Sequence, residues 1–264
     1  MHEARGQASD VDRWTAVGAA SILIAITQLV VNVQPLLLGS LAVHEGYTDR
    51  QLGIASSALV GGASFISATG PLWVRRVNWR TATLGFLLAS LVSIWLTSLV
   101  TSFATLCAAF ALLGLLQGGI GVPAFVSLSD TSNPEGNFGI SVAVQALLAA
   151  AAAAPVAAYL VPAFGTAGVY YCLAAGVLLG LAVVRFLPPR GSLQAAERTG
   201  QTIVAGRWLI RFSAVAAGLM CFTIGITGFW FYLERIGNAK GVAAGVIGLA
   251  VSGTALITGP DPSP

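Results

Sequence analysis

Charge is spaced along this chain in a way that divides it before any motif does. Nothing charged lies between Arg13 and His44, between Arg50 and Arg75, between Arg80 and Asp130, or between Glu135 and Arg185. A membrane-spanning helix needs about 20 apolar residues, and the last two stretches are each about twice that. Each has a turn-like break, at Thr101 and Ser102 in one and at VPAFGTAG (161–168) in the other, so each predicts a helical hairpin with an uncharged turn. The pattern predicts helices over 14–43, 51–73, 81–99, 103–128, 138–161 and 167–187. The first run is too long for a signal-peptide core and is interrupted by Gln28, Asn32 and Gln34, which predicts a retained helix. No run alternates as a barrel strand does, and in hydrocarbon only helices and closed barrels satisfy their own backbone.

A polar stretch, PPRGSLQAAERTGQTIVAG (188–206), reads as a linker between two units. A seventh helix is expected over 208–233 and an eighth over 241–258, after which the chain closes on GPDPSP. The expected fold class is an all-α membrane protein: a tail over 1–13, a six-helix bundle over 14–187, the linker, and two further helices within 207–264.

Composition sharpens this. The chain is 56% hydrophobic and 9% charged, with a mean hydropathy of +0.83, which leaves no polar surface for a soluble domain. The pI near 9.0 comes from arginines that punctuate apolar runs rather than form a basic face, so nucleic acid is not an expected partner and the lipid bilayer is. Cys107, Cys172 and Cys221 each lie inside an apolar run, without metal spacing or a disulfide framework, and read as small packing side chains. With the N-terminus in the cytoplasm, Arg5, Arg13, Arg75, Arg76, Arg80, Arg185, Arg190, Arg198, Arg207 and Arg211 fall inside, against Arg50, Arg235 and Lys240 outside. That asymmetry predicts a multi-pass protein of the plasma (inner) membrane with a cytoplasmic N-terminus.

The acidic residues and both histidines, His2 and His44, fall in loops, tails or helix ends, and Lys240 is the only lysine. A Schiff-base pigment, an intramembrane Ser–His protease and a buried zinc site all lack their residues, so neither an enzyme nor a cofactor or metal is expected. Neutral polarity remains, at helical spacing. Helix one carries Gln28, Asn32 and Pro35; helix four Gly114, Gln117, Gly118 and Gly121; helix five Ser141, Gln145 and Pro155; helix seven Thr223, Thr227 and Trp230, ending at Glu234. Helices three and six contain no Asn or Gln. Inward amides can simply bond neighbouring helices, worth about 0.6 kcal/mol on average, or they can line a cavity. As a set they point to a cavity formed by Gln28, Asn32, Gln117, Gln145, Thr227 and Trp230. With no buried charge it suits a neutral or amphipathic small solute. Glycines at GxxxG spacing (Gly114 and Gly118, Gly176 and Gly180, Gly241 and Gly245) and the alanines at 149–154 are expected to pack the bundle.

The loop between helices two and three reads GPLWVRRVNWR (70–80). It resembles the signature of that loop in the major facilitator superfamily: Gly70 and Arg75 match, Val74 stands at the usual Asp, Val77 at the second Gly, and Arg80 is a displaced basic residue. SDTSNPEGNFG (129–139) is similar to the family's loop between helices four and five, and FWFYLERIG (229–237) to the end of helix seven in some bacterial members. Gly114 stands where proton-coupled members carry an arginine ahead of Gln117 and Gly118, and the glycine-proline signature of antiporters in helix five is missing. The resemblance covers about 14–258. It implies a six-helix half built from two three-helix repeats, helices one, four and seven lining a central cavity, and transport by alternating access.

Gly70, Arg75, Arg76 and Arg80 fall on the same side as Asp130 and Glu135 in this topology, so a cytoplasmic gate is expected in which the arginines pair with Asp130 or Glu135, the alternative being independently solvated charges. Because the family plan is two six-helix bundles and eight helices are read here, a truncated form is expected. The alternative is a non-transporting membrane fragment, or a half-transporter that needs a partner chain in place of a missing C-terminal half. At YTDRQ (47–51) a capping box at Thr48 is expected to start helix two.

Overall fold

The computed structural model describes residues 10–191 apart from Thr101, together with Cys221 and Gly225. The described residues form helices and no strands. Six helices are long and apolar enough to cross a membrane: α1 (Trp14–His44), α2 (Asp49–Trp73), α3 (Trp79–Ser98), α4 (Phe103–Ser129), α5 (Pro134–Phe164) and α6 (Thr166–Phe186). The predicted seventh and eighth helices, with Thr227 and Trp230, lie outside the described residues, as does the linker beyond Gly191.

Local chemistry sets each boundary. α1 is continuous as a span but broken at Val33 (φ −91°, ψ 0°) into Trp14–Asn32 and Gln34–His44. Pro35, which has no N–H to give the preceding turn, starts the second half. At α2 the Gln51 N–H donates to Thr48 Oγ1 (3.4 Å) and the Thr48 N–H donates to Gln51 Oε1 (2.9 Å), so the predicted capping box is formed. The side chains of Asn78, Ser102 and Asn133 cap α3, α4 and α5 by accepting the N–H groups of Thr81, Thr105 and Gly136.

Two boundaries differ from expectation. α5 begins at Pro134 rather than at 138, because a cap asparagine followed by a first-turn proline starts a helix whatever the loop-like composition after it. It also continues past Pro155 through a π-helical turn, Val156–Leu160, and a last turn, Val161–Phe164. The reversal into α6 therefore shrinks to Gly165, whose φ of +59° and ψ of −139° require glycine.

α2 packs along α4, α1 along α5, α3 against α4 and α6, and α1 against α4 and α6. In lipid, helix association rests on close van der Waals contact rather than on expelling water from apolar surface. Glycines permit that closeness. A Cβ at Gly114 would overlap the Leu59 carbonyl, and one at Gly62 would overlap the Ala111 carbonyl, so the α2 and α4 backbones touch at both points. Gly176 and Gly180 of α6 receive Leu29 of α1 and Leu87 of α3; added Cβ atoms would lie 2.9 and 2.7 Å from their methyl groups. The most apolar window of α1 is 72% buried and that of α2 only 22%, so α1 is the most enclosed element and α2 the least.

Candidate functional site

Between Ala16 and Leu41 every residue of α1 is buried except Gly18, Ile22, Gln28, Val31 and Asn32. These lie on one side of the helix. Two of the five are amides, and that strip opens onto two adjoining recesses. One, of about 220 Å³, is lined by Gln28, Val31 and Asn32 of α1 and by Val142, Gln145, Ala146 and Ala149 of α5. The other, of about 320 Å³, lies among α1, α2 and α4; Thr27, Gln28, Val30 and Val31 form its α1 wall, and Gln117, Gly118 and Gly121 are among its α4 residues. Gln28 and Val31 belong to both.

The recesses thus bring together the four predicted cavity residues that fall within the described part, Gln28, Asn32, Gln117 and Gln145. The Gln145 amide donates to Ser141 Oγ at 3.3 Å, one turn earlier on α5. Gln117 is 3% exposed, and its Oε1 meets no hydrogen-bond donor. A buried acceptor without a donor costs about 1–3 kcal/mol, and both amide atoms of Gln34, which lines neither recess, are buried and unmet in the same way. No side-chain charge lines either recess, which leaves hydrogen bonding and apolar contact as the available chemistry. Sequence reading missed Ser64 and Ser67, which line the α2 wall of the larger recess. Their i, i+3 spacing was visible, but short hydroxyls in a helix are usually satisfied by their own backbone and so carry little signal.

The loop residues gather at the other end of α2 and α4. Gly70 is buried, and a Cβ there would stand 3.0 Å from Val122 of α4. Arg75 makes two parallel hydrogen bonds to Asp130, at 2.6 and 2.8 Å. The Asp130 side chain is 2% exposed and that of Arg75 37%. The Arg75 guanidinium also sits 6.0 Å from the centre of the Trp79 ring. The other expected pairs are not formed. Arg80 Nε donates instead to the Leu187 carbonyl (3.1 Å), where the start of α3 meets the residues just after α6. Arg76 is exposed, and Glu135, in the first turn of α5, makes no ion pair among the described residues.

At the opposite end His44 closes α1. Its Nδ1 lies 3.2 Å from Ser40 Oγ, which is 3.0 Å from Thr166 Oγ1 at the start of α6. Among the described residues no three of His, Cys, Asp and Glu come together.

A helical chain with six such spans, an uncharged interior and a polar strip on its most enclosed helix is a multi-pass helical membrane protein. No family model matches the chain, and no curated protein matches it in sequence.

Proposed function

We propose that the protein is a solute transporter of major-facilitator type that works by alternating access, with the amide strip of α1 as its substrate surface. The observation that carries this reading is the exposure pattern of α1. Within the most buried helix the only open side holds Gln28 and Asn32, and Gln28 is the shared wall of recesses that reach Gln145 and Gln117. A polar strip kept only for packing would be closed on all sides, since an open amide in lipid is costly.

The packing scheme supports the repeat. Exchanging α1, α2 and α3 for α4, α5 and α6 turns the α2/α4 contact into α5/α1 and the α3/α4 contact into α6/α1, and these pairs are the principal contacts of the bundle. Two three-helix repeats related by a twofold axis have this property. In this reading the stretch 207–264 begins the facing wall, which Thr227 and Trp230 join. The substrate is neutral or amphipathic, the protein is no enzyme, and the cytoplasmic side carries the Arg75/Asp130 pair.

The test is a thermal-shift screen of neutral and amphipathic solutes on the full chain, followed by uptake of the hits into proteoliposomes. Gln28→Ala and Asn32→Ala should each weaken the shift and the uptake at least several-fold. Shifts and uptake undiminished by both substitutions would return the amides to helix packing. Binding without uptake would favour a bundle that transports only with a partner chain.

A further inference from the structure

Residues 187–191, directly after α6, stay against the bundle. The Pro189 carbonyl accepts the backbone N–H of Trp79 at 2.9 Å. Trp79 is the first residue of α3, where an N–H has no acceptor inside its own helix. Two residues earlier the Leu187 carbonyl accepts Arg80 Nε at 3.1 Å. Two residues later Gly191 lies directly over the ion pair. A Cβ there would overlap Asp130 Oδ2 and stand 2.6 Å from Arg75 NH1 and 2.7 Å from the Trp79 ring. Trp79, 1% exposed, is held from the other side by its own indole N–H, which donates to the Val74 carbonyl at 2.7 Å. The same few atoms therefore form the ion pair and the seat of the chain behind α6.

The geometry points to a latch: the 187–191 segment docks on the closed Arg75/Asp130 pair and is released when that pair opens. The seat has three parts, from three parts of the chain. The α2–α3 loop gives Arg75, the end of α4 gives Asp130, and α3 gives Trp79. Moving the loop away from α4 removes the ground on which Gly191 rests and draws the Trp79 N–H from Pro189. Linkage is reciprocal, so holding 187–191 in place also holds the pair closed, and pulling it away opens the pair. Glycine at 191 lets the segment sit this close, since a side chain there would have to displace the Asp130 carboxylate and the Arg75 guanidinium. The latch rests on packing alone and holds whether or not the protein moves a solute.

The test is hydrogen exchange by mass spectrometry on the full chain in nanodiscs, read on the peptide that carries the Trp79 amide, with limited trypsin cleavage after Arg190 as a second readout. Asp130→Asn and Gly191→Ala should each raise exchange at Trp79 and cleavage at Arg190 about tenfold, in the usual range of coupling between sites. Exchange in the middle of α3, around Leu87, should stay at its original rate. Wild-type exchange at Trp79 and wild-type cleavage at Arg190 in Gly191→Ala would overturn the latch. Should Asp130→Asn fail to fold, Gly191→Ala decides alone, because position 191 lies outside every helix and its substitution leaves the ion-pair residues intact. Absence of solute uptake bears only on the transport reading.

Discussion

Gln117 concentrates the question of packing against function in one side chain. Its amide oxygen is buried and unmet, so a residue of the same shape without the polar atoms should suit the fold at least as well. Gln117→Met should leave thermal stability unchanged or raise it by up to about 1–3 kcal/mol, the penalty of an unsatisfied buried group, while solute-induced thermal shifts fall. A drop in stability would show that the amide serves the bundle. Thr48 is a plainer case. It accepts the Gln51 N–H and sits far from both recesses. Thr48→Ala should cost about 1 kcal/mol of stability through the lost cap, measured as a lower unfolding midpoint in detergent, with solute binding unaltered.

Among the elements, α2 and α4 approach most closely, and the glycines of α4 differ sharply in what they allow. A Cβ at Gly114 runs into the α2 backbone at Leu59, whereas one at Gly121 meets Thr27 and the Phe125 ring at ordinary distances of 3.5 and 3.6 Å. Gly114→Ala should therefore destabilise the bundle by about 1–3 kcal/mol, as overpacking does. Gly121→Ala should be neutral or slightly stabilising, because alanine is the better helix former. Equal unfolding midpoints for the two variants would contradict this account of the crossing. The GxxxG spacing at Gly114 and Gly118 was readable in sequence, but the partner was not: it is α2 of the same bundle, through Leu59, Ala63 and Ile66. Gly62, its counterpart on α2, lies in no such spacing and was missed.

For the molecule as a whole, the arginine asymmetry predicts an orientation, and cysteine labelling tests it. With the N-terminus in the cytoplasm, Arg76→Cys should react with a membrane-impermeant maleimide only in inside-out vesicles, and Gly46→Cys only in right-side-out vesicles, each above the background of Cys107, Cys172 and Cys221. The reverse pattern would invert the topology and put the Arg75/Asp130 pair outside. The two ends also differ in how they are tied. The pair and the 187–191 segment link α2, α3, α4 and the chain after α6 at one end, while Ser40, His44 and Thr166 link α1 to α6 at the other.

What the sequence determined by itself was whatever depends on runs and neighbours. Six spans followed from the spacing of charge, because a single charge in hydrocarbon is costly enough to mark each boundary. The Thr48 capping box followed from residues three apart. The amides at Gln28 and Asn32 marked one side of α1, and opposite charges in loops on one face allowed Arg75 to meet Asp130. Only the tertiary structure decided what depends on distance across the fold. It chose one ion pair from six combinations, with Arg80 donating instead to a carbonyl where the start of α3 meets the residues just after α6. It left the strip on α1 facing recesses walled by α5 on one hand and by α2 and α4 on the other. It seated Pro189 and Gly191 against Trp79 and the Arg75/Asp130 pair, contacts between distant positions that leave no periodic trace, because a backbone carbonyl and a missing side chain carry no pattern of their own.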